Sequence, residues 1–194
     1  MSKLRIVGIG GTTKVGSTSE RALAEALDAS NETGAEIVAF GGEFLASLPP
    51  YSGVTDCVFA LELIDAVRSA DGLVIASPSY HGTISGAIKN AIDYLEETAS
   101  DNRTYLDGMP VGLIVTAYGW QGACSTLATL RSMVHALRGW PTPFGAAINS
   151  SQTTSETDVL TDPMVRDRLR LVGRQVTGFF SPKPSGDRSR VRPI

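Results

Sequence analysis

The sequence predicts a doubly wound α/β domain, in which a five-stranded parallel sheet lies between two layers of helices. Two observations carry this prediction. Short apolar runs alternate along the chain with segments of helical periodicity, and three of the runs end in loops rich in glycine and hydroxyl side chains. Such alternation gives parallel strands with helices on both faces. A length of 194 residues fits one domain of this kind.

The predicted strands are short runs bounded by glycine, proline or polar residues. Leu4–Ile9 is closed by glycines, and Leu73–Ala76 and Val111–Ala117 are apolar throughout or nearly so. Short apolar runs without polar alternation are typical of strands that are buried on both faces. The two remaining strands are predicted at Ala35–Phe40 and Thr142–Ile148.

Helical spacing fills most of the connections between these strands. Ala22, Leu23, Ala26 and Leu27 share one face of the first helix, and Gly34 is placed to cap its end. The segment 41–56 contains two prolines and is predicted to be a long loop. The other helices are predicted at 58–69, at 84–95 with isoleucines on one face, at 123–138, and at 158–180, where Gly173 is a candidate break.

Composition and charge exclude several classes of protein. A hydrophobic content of 42% supports a core and argues against global disorder, and a net charge of −3 with a pI near 5.4 argues against nucleic-acid binding. No apolar run is long enough to span a membrane, and the N-terminal segment lacks the pattern of a signal peptide. Cys57 and Cys124 form neither a zinc motif nor a disulfide framework, so a cytoplasmic location is expected.

No repeat or linker divides the chain, so a single domain is expected over residues 1–181. A flexible basic tail is expected over residues 182–194, because this segment is rich in proline, serine and glycine. Its charged residues are Lys183, Arg188, Arg190 and Arg192 against Asp187.

Ligands of doubly wound sheets bind beyond the carboxyl ends of the strands, where the strand order reverses. This rule selects the loops 10–19, 77–85 and 117–124. The first of them, "GGTTKVGSTSE", joins the first strand to the first helix. Free N–H groups at a helix start, flexible glycines and several hydroxyls together suit a phosphate.

Two better-known phosphate loops do not fit this segment. The pattern GxxxxGK[ST] needs lysine where Ser17 stands, and GxGxxG needs a third glycine where Thr13 stands. A simpler alternative is a capping box formed by Ser17 and Glu20, which would only start the helix. Phosphate binding is favoured because the loop lies at the predicted site and holds more hydroxyls than a cap requires.

The stretch "SPSYHGTISGAIKNAIDYL" resembles the signature of the NADPH-dependent FMN reductase family, which has a flavodoxin-like fold. The matching positions are a proline, an aromatic–polar pair, a glycine turn and a helix with Lys-Asn and Asp-aromatic pairs: Pro78, Tyr80–His81, Gly82, Gly86, Lys89–Asn90 and Asp93–Tyr94. The first loop is similar to the family's phosphate loop, with Lys14 where many members have arginine. The segment "TAYGWQGACS" resembles a third family loop, through Gly119 and Gly122.

The resemblance implies that all three loops hold FMN, which NADPH or NADH reduces. It places Thr12, Lys14, Ser17, Thr18 and Ser19 around the phosphate. It places Pro78, Ser79, Tyr80, His81 and Gly82 at the flavin ring, and Thr116, Tyr118, Gly119, Trp120, Gln121 and Gly122 at the pyrimidine end. No catalytic residue is assigned; His81 is a candidate for proton transfer and equally for a simple turn residue. Trp120 could shield the ring or pack in the core.

Three functions are compatible with this resemblance. The first is a flavin oxidoreductase that passes hydride from NAD(P)H through FMN to free flavin, a quinone or a similar small acceptor. The second is an FMN-dependent dehydrogenase or reductase for one biosynthetic metabolite. The third is an electron carrier like flavodoxin, which the weak net negative charge and Lys14 disfavour. The resemblance further implies a homodimer or homotetramer. The charge, the short apolar runs and the scattered cysteines and histidines predict no nucleic-acid or membrane partner and no metal.

Overall fold

Parallel pairing of strands builds the sheet that the sequence predicts. The computed structural model describes residues 3–152 and 158–181, so the predicted tail at 182–194 lies outside the described residues. The strands run in the order β2-β1-β3-β5-β6; β7 also pairs with β5, and β4 pairs antiparallel with the end of β3. Their bounds are β1 Arg5–Gly10, β2 Glu36–Phe40, β3 Gly72–Tyr80, β4 Thr83–Ile84, β5 Pro110–Ala117, β6 Trp140–Pro141 and β7 Ala146–Asn149.

Helices connect these strands and cover both faces of the sheet, which confirms the three-layer architecture. Their bounds are α1 Thr18–Asn31, α2 Gly42–Ser47, α3 Val58–Arg68, α4 Gly86–Asp93, α5 Trp120–Ala136 and α6 Pro163–Gly178. Short 3-10 helices lie at Tyr94–Thr98, Ser150–Gln152 and Val159–Thr161.

The structure differs from the sequence prediction in several elements, including the unpredicted β4 and a last helix that begins only at Pro163. The short helix α2 lies inside the predicted loop 41–56, where Leu45 is buried and supplies the apolar contact that a one-turn helix needs. Of the strand predicted at Thr142–Ile148, only the last three residues are confirmed, as part of β7; β6 lies just before the predicted range, and residues 142–145 belong to no strand. Pro143 has no N–H to donate to a neighbouring strand, which interrupts the pairing there. The third strand continues through the predicted loop as far as Tyr80.

Two apolar clusters lie on opposite faces of the sheet. Alternate residues of β1 illustrate the division, since Val7 and Ile9 belong to one cluster and Ile6 to the other. Helices α3, α4 and α5 pack on the first face, and α1 and α6 pack on the second. The predicted face of α1 is buried in the second cluster.

Glycines bring α1 close to its neighbours in the second layer. A Cβ at Gly8 would lie 2.5 Å from Leu27 Cδ1, and one at Gly10 would lie 2.8 Å from Leu23 Cδ2. Gly173 of α6 allows a similarly close approach on the other side of α1, because a Cβ there would overlap the carbonyl oxygen of Ala26. Helix α6 is continuous through Gly173, so this glycine is a packing position and does not break the helix.

The contact at Gly173 predicts a loss of stability on substitution. Gly173→Ala should lower the free energy of unfolding by about 1–3 kcal/mol, since the obstacle is backbone and the two helices must separate. Gly178→Ala is the matched control, because a Cβ at this last residue of the same helix has open space around it. The control should be neutral or stabilising by up to about 1 kcal/mol. Urea unfolding of both variants measures the difference, and equal stabilities would contradict the packing role.

Candidate functional site

The carboxyl ends of β1, β3 and β5 open into a cleft of about 680 Å³. This is the edge at which the strand order reverses, between β1 and β3. All three loops selected from the sequence contribute to its walls. The lining residues are Thr12, Thr13, Lys14, Ser17, Thr18, Ser19, Pro78, Ser79, Tyr80, Ser85, Gly86, Ala87, Thr116, Ala117, Tyr118 and Ser150.

The first wall is the start of α1. Ser17 is the N-cap, and its hydroxyl accepts a hydrogen bond from the Glu20 N–H at 3.3 Å. The Ser17 and Ser19 hydroxyl oxygens lie 3.3 Å apart, and Ser19 is almost fully buried. Half of the predicted capping box is therefore present: Ser17 caps the helix, whereas the Glu20 carboxylate accepts from Gly16 and Gly42 and not from Ser17. Ser17 also lines the cleft.

The second wall is the hairpin formed by β3 and β4. Tyr80 pairs with Thr83, which leaves His81 and Gly82 as the two residues of the turn. Both have positive φ, 52° and 82°, as a type I′ hairpin turn requires. The turn geometry accounts for Gly82 without a ligand.

Hydrogen bonds from hydroxyl groups connect this hairpin to helix α5. Thr126 Oγ1 lies 2.8 Å from Ser79 Oγ, which donates to the carbonyl of Gly122 at 3.1 Å. Ser125 Oγ donates to the carbonyl of Gly82 at 2.9 Å. The end of β3 and the turn that follows it are thus hydrogen-bonded to the first turns of α5. We name this set of contacts, made by Ser79, Gly82, Gly122, Ser125 and Thr126, the hydroxyl bridge.

The third wall is shorter than the sequence suggests. Helix α5 begins at Trp120, so only Thr116, Ala117 and Tyr118 of this segment line the cleft. Gly122 lies inside the helix, and a Cβ there would come within 3.0 Å of Ser79 Oγ. Tyr118 is 88% exposed and Tyr80 is 51% exposed, so two aromatic rings border the cleft and remain accessible to a planar ligand.

Ten of the residues assigned from the resemblance line the cleft: Thr12, Lys14, Ser17, Thr18, Ser19, Pro78, Ser79, Tyr80, Thr116 and Tyr118. The other six lie behind or beside it. His81 and Gly82 form the hairpin turn, Gly119 caps α5, and Gln121 and Gly122 are in its first turn. Trp120 lines a neighbouring cleft of about 500 Å³ between α5 and α6.

Six lining residues had no predicted contact with a ligand, although three of them belong to the loops selected from the sequence and one to the family signature: Thr13, Ser85, Gly86, Ala87, Ala117 and Ser150. Ser85 is the N-cap of α4 and accepts a hydrogen bond from the Ile88 N–H at 3.3 Å. A serine directly before a helical pattern is a recognisable signal of this kind. Ser150 directly follows β7, so the rule of carboxyl strand ends would have found it as well.

The Lys-Asn and Asp-Tyr pairs of the signature helix lie away from the cleft. Asn90 Nδ2 donates to the Pro49 carbonyl at 2.9 Å, and its Oδ1 accepts from the Tyr51 N–H at 2.8 Å. The Tyr94 hydroxyl donates to the same Pro49 carbonyl at 2.9 Å. Lys89 and Asp93 form an exposed ion pair. In this chain Asn90 and Tyr94 hold the loop that follows α2 against the α4 segment.

The described lining of the cleft carries a single positive charge. Lys14 is the one charged side chain among the described lining residues, and these residues include no carboxylate. The first N–H groups of α1 point out of the helix start, where the helix dipole favours an anion. A volume of about 680 Å³ is within the usual range for small-molecule and cofactor sites. The donor set, the charge and the volume fit a ligand of the size and charge of FMN.

An ion pair joins α1 to the residue that precedes the 3-10 helix Val159–Thr161. Arg21 pairs with Asp158, and this contact lowers the pKa of the Asp158 carboxyl below its ordinary value. Within the described ranges, 3–152 and 158–181, no group of His, Cys, Asp and Glu side chains is arranged to hold a metal ion. No helix in the same ranges is long and apolar enough to cross a bilayer.

The strand order and the position of the cleft are those of a flavodoxin-like fold. The fold matches the crystal structure of an NADH:FMN oxidoreductase in its apo form, with a TM-score of 0.72, 21% identity and coverage of 94% of this chain and 93% of that one. It also matches a flavoenzyme NAD(P)H:(acceptor) oxidoreductase from Paracoccus denitrificans, with a TM-score of 0.66, 21% identity and coverage of 90% and 97%.

Sequence comparison identifies the family to which the chain belongs. It is 31% identical over 142 residues to the FMN-dependent NADPH-azoreductase of Staphylococcus aureus, covering 69% of this chain and 72% of that protein. The model of the NADPH-dependent FMN reductase family matches residues 4–154. The chain belongs to this family, which confirms the resemblance, the FMN cofactor and the NAD(P)H-dependent oxidoreductase class expected from the sequence.

The position of His81 generates a prediction about catalysis. Its side chain is exposed at a hairpin turn and does not line the cleft, so His81→Asn should leave the pH dependence of NADPH oxidation unchanged. Asparagine also tolerates the positive φ of this turn. Loss of a general acid–base group would instead reduce the rate about 100-fold or more and remove one limb of the pH profile.

The matched variant for the turn is Gly82→Val. A side chain with positive φ costs about 1–2 kcal/mol, so this variant should lower the melting temperature of the flavin-free protein while His81→Asn does not. A pH profile that changes in His81→Asn, without a change in melting temperature, would contradict the turn assignment.

Proposed function

We propose that the cleft binds FMN with its phosphate at the start of α1 and its ring between the hairpin and Tyr118. The observation that carries this proposal is the charge of the cleft, where one lysine and a helix start face a volume free of carboxylates. Thr12, Lys14, Ser17, Thr18 and Ser19 surround the phosphate in this arrangement.

The ring contacts in the proposal come from the other two walls. Pro78, Ser79 and Tyr80 border the ring on one side, and Thr116 and Tyr118 border it on the other. His81 and Gly82 support the first side as the hairpin turn. Gly119, Trp120, Gln121 and Gly122 support the second as the start of α5.

The proposed reaction is the oxidation of NAD(P)H with reduction of free flavin, a quinone or a similar small acceptor. FMN, when bound, supplies the chemistry of hydride acceptance and electron transfer. The residues of the cleft bind and orient it, and the exposed rings of Tyr80 and Tyr118 leave its face open to a second planar molecule. Azo compounds are included among the proposed acceptors because the relative from Staphylococcus aureus is named as an azoreductase.

A second candidate is a reductase for one metabolite. The neighbouring cleft of about 500 Å³ favours it, because Trp120, Met164 and Arg168 there offer an aromatic, an apolar and a cationic contact. Asn149 lines this cleft and Ser150 lines the first, so the two lie side by side. An electron carrier is disfavoured, since the described lining of the proposed flavin cleft has no acidic side chain for docking a basic partner.

The proposal also includes the organisation of the protein. We infer a single flavodoxin-like FMN-binding domain over residues 1–181, a basic tail at 182–194, assembly into a homodimer or homotetramer, and a cytoplasmic location. Exposed apolar side chains on α3, Val58 at 69% and Leu61 at 46%, support assembly. Light scattering coupled to gel filtration tests it, and a strictly monomeric protein at micromolar concentration would overturn it.

The decisive experiment for the reaction is a turnover assay of the purified protein. NADPH and NADH are each tested against free FMN, quinones and azo dyes, with bound flavin measured by absorbance. The expected result is nicotinamide oxidation that depends on bound FMN and accepts several acceptors. Turnover with none of them would favour the dedicated reductase, and failure to bind FMN would overturn the proposal.

The phosphate position predicts a selective loss of affinity. Replacing Ser17 and Ser19 together by alanine should weaken FMN more than riboflavin, which lacks the phosphate, because each lost hydrogen bond to a charged group costs about 1.5–3 kcal/mol. Fluorescence quenching titrations of both ligands measure the ratio. Ser85→Ala is the matched control, since it removes the N-cap of α4 at the ring end of the cleft. It should weaken both ligands alike, and a double variant that behaves the same way would indicate only a lost helix cap.

A further inference from the structure

Glu20 departs from the capping pattern that its spacing predicts. It is the third residue of α1, from which a carboxylate normally accepts the N–H of the N-cap residue. Here Oε2 accepts the N–H of Gly16 at 2.6 Å and Oε1 accepts the N–H of Gly42 at 2.9 Å. The carboxylate therefore joins the phosphate loop to the turn between β2 and α2.

This departure changes which N–H groups remain available at the start of α1. Among the described residues, the Ser17 N–H makes no hydrogen bond. A regular capping box would have occupied that donor. With Glu20 turned to Gly16, the Ser17 N–H is left without a carboxylate partner, next to the N–H groups of Thr18 and Ser19, which a capping box does not occupy.

Steric contacts fix the same arrangement. A Cβ at Gly41 would overlap Glu20 Oε1, and a Cβ at Gly42 would lie 2.8 Å from the backbone carbonyl of Lys14. Gly11 has a φ of 110°, and a Cβ there would lie 3.1 Å from Glu20 Cβ. The two segments can approach this closely only because glycines occupy these positions.

The carboxylate is also placed out of the cleft. Glu20 lines a separate surface groove together with Val15, Phe44 and Phe59, and it is absent from the cleft lining. Each of its two carboxylate oxygens accepts a hydrogen bond from one backbone N–H group. A carboxylate that faced the cleft would repel a phosphate, whereas this one leaves the positive helix start unopposed.

We propose that Glu20 is a positioning residue that holds the phosphate loop against the β2–α2 turn and thereby directs the N–H groups of Ser17–Ser19 toward the phosphate of FMN. The proposal rests on the phosphate position given under the proposed function. It predicts an effect opposite to simple electrostatics. Removing a negative charge near a phosphate should tighten binding, whereas releasing the loop should weaken it.

The experiment compares FMN and riboflavin binding to flavin-free Glu20→Gln and to the parent by fluorescence titration. Glutamine has a similar shape but replaces one accepting oxygen with a donor, so one of the two contacts is lost. We expect FMN affinity to fall about tenfold or more, with a much smaller change for riboflavin. Glu20→Asp keeps the charge, yet its shorter side chain cannot bridge Gly16 and Gly42, so it should lose FMN affinity in the same direction.

Glu43→Gln is the matched control. Glu43 lines the same groove and lies in the first turn of α2, but its carboxylate has no hydrogen bond among the described residues. This variant removes a nearby negative charge without releasing the loop, so its ratio of FMN to riboflavin affinity should not fall. Amide NMR signals of Gly16 and Gly42 in the flavin-free protein give a second measurement, and they should shift upfield in Glu20→Gln and stay in place in Glu43→Gln.

The outcomes distinguish the positioning role of Glu20 from the proposed position of the phosphate. Unchanged or tighter FMN binding in Glu20→Gln, with a parent that prefers FMN over riboflavin, would overturn the positioning role and leave the phosphate position intact. A parent that binds both ligands equally would overturn the phosphate position itself. If Glu20→Gln does not fold, the Glu20→Asp titration carries the test, and parent-like FMN affinity in that variant would overturn the proposal.

Discussion

The close approach of α1 to β1 is the constraint on which the site depends. Because Gly8 and Gly10 have no side chain, the leucines of α1 can pack directly on the backbone of β1. On the other side of α1, Gly173 allows α6 to pack equally closely. The start of α1 is thereby fixed directly above the carboxyl end of β1. The anion-binding end of the helix then lies beside the ends of β3 and β5, with which β1 shares the sheet.

Charge is distributed around this helix start in a consistent way. Acidic and basic side chains are common on the surface of α1, where Glu25 pairs with Arg166 and Arg170. The cleft side carries Lys14 and hydroxyls instead. Because paired surface charges largely neutralise each other, the local field at the cleft is governed by the helix start and by Lys14.

Periodicity made most of the fold predictable from the sequence. The buried runs of β1, β3 and β5 and the apolar face of α1 gave correct elements, because burial on a sheet imposes a pattern that extends over many residues. The end of the third strand could not be predicted from periodicity. Ser77–Tyr80 contains a proline and polar side chains, and part of it pairs with β4. The short helix α2 and the division between β6 and β7 depend on tertiary contacts of a few residues, which leave no periodic signal.

The candidate site was predictable to a similar degree. The rule of carboxyl strand ends located all three walls, and the resemblance supplied most of the lining residues. Neither source could show the direction of side chains. His81 and Trp120 are near the cleft in sequence yet face other surroundings, because a hairpin turn and a helix start rotate them away. The two contacts of Glu20 were equally hidden, since Gly42 is distant in sequence.

The hydroxyl bridge has a consequence for how the cleft can adapt. Ser79, Ser125 and Thr126 join the end of β3 to α5, so two of the three walls form one hydrogen-bonded frame. The width between these walls is consequently set by short polar contacts and by the sheet. Changes in shape at the mouth are left to side-chain rotation of Tyr80 and Tyr118, whose rings are exposed. Any adjustment of the mouth to ligands of different outline therefore falls to these two aromatic side chains, because the backbone around them is held in place.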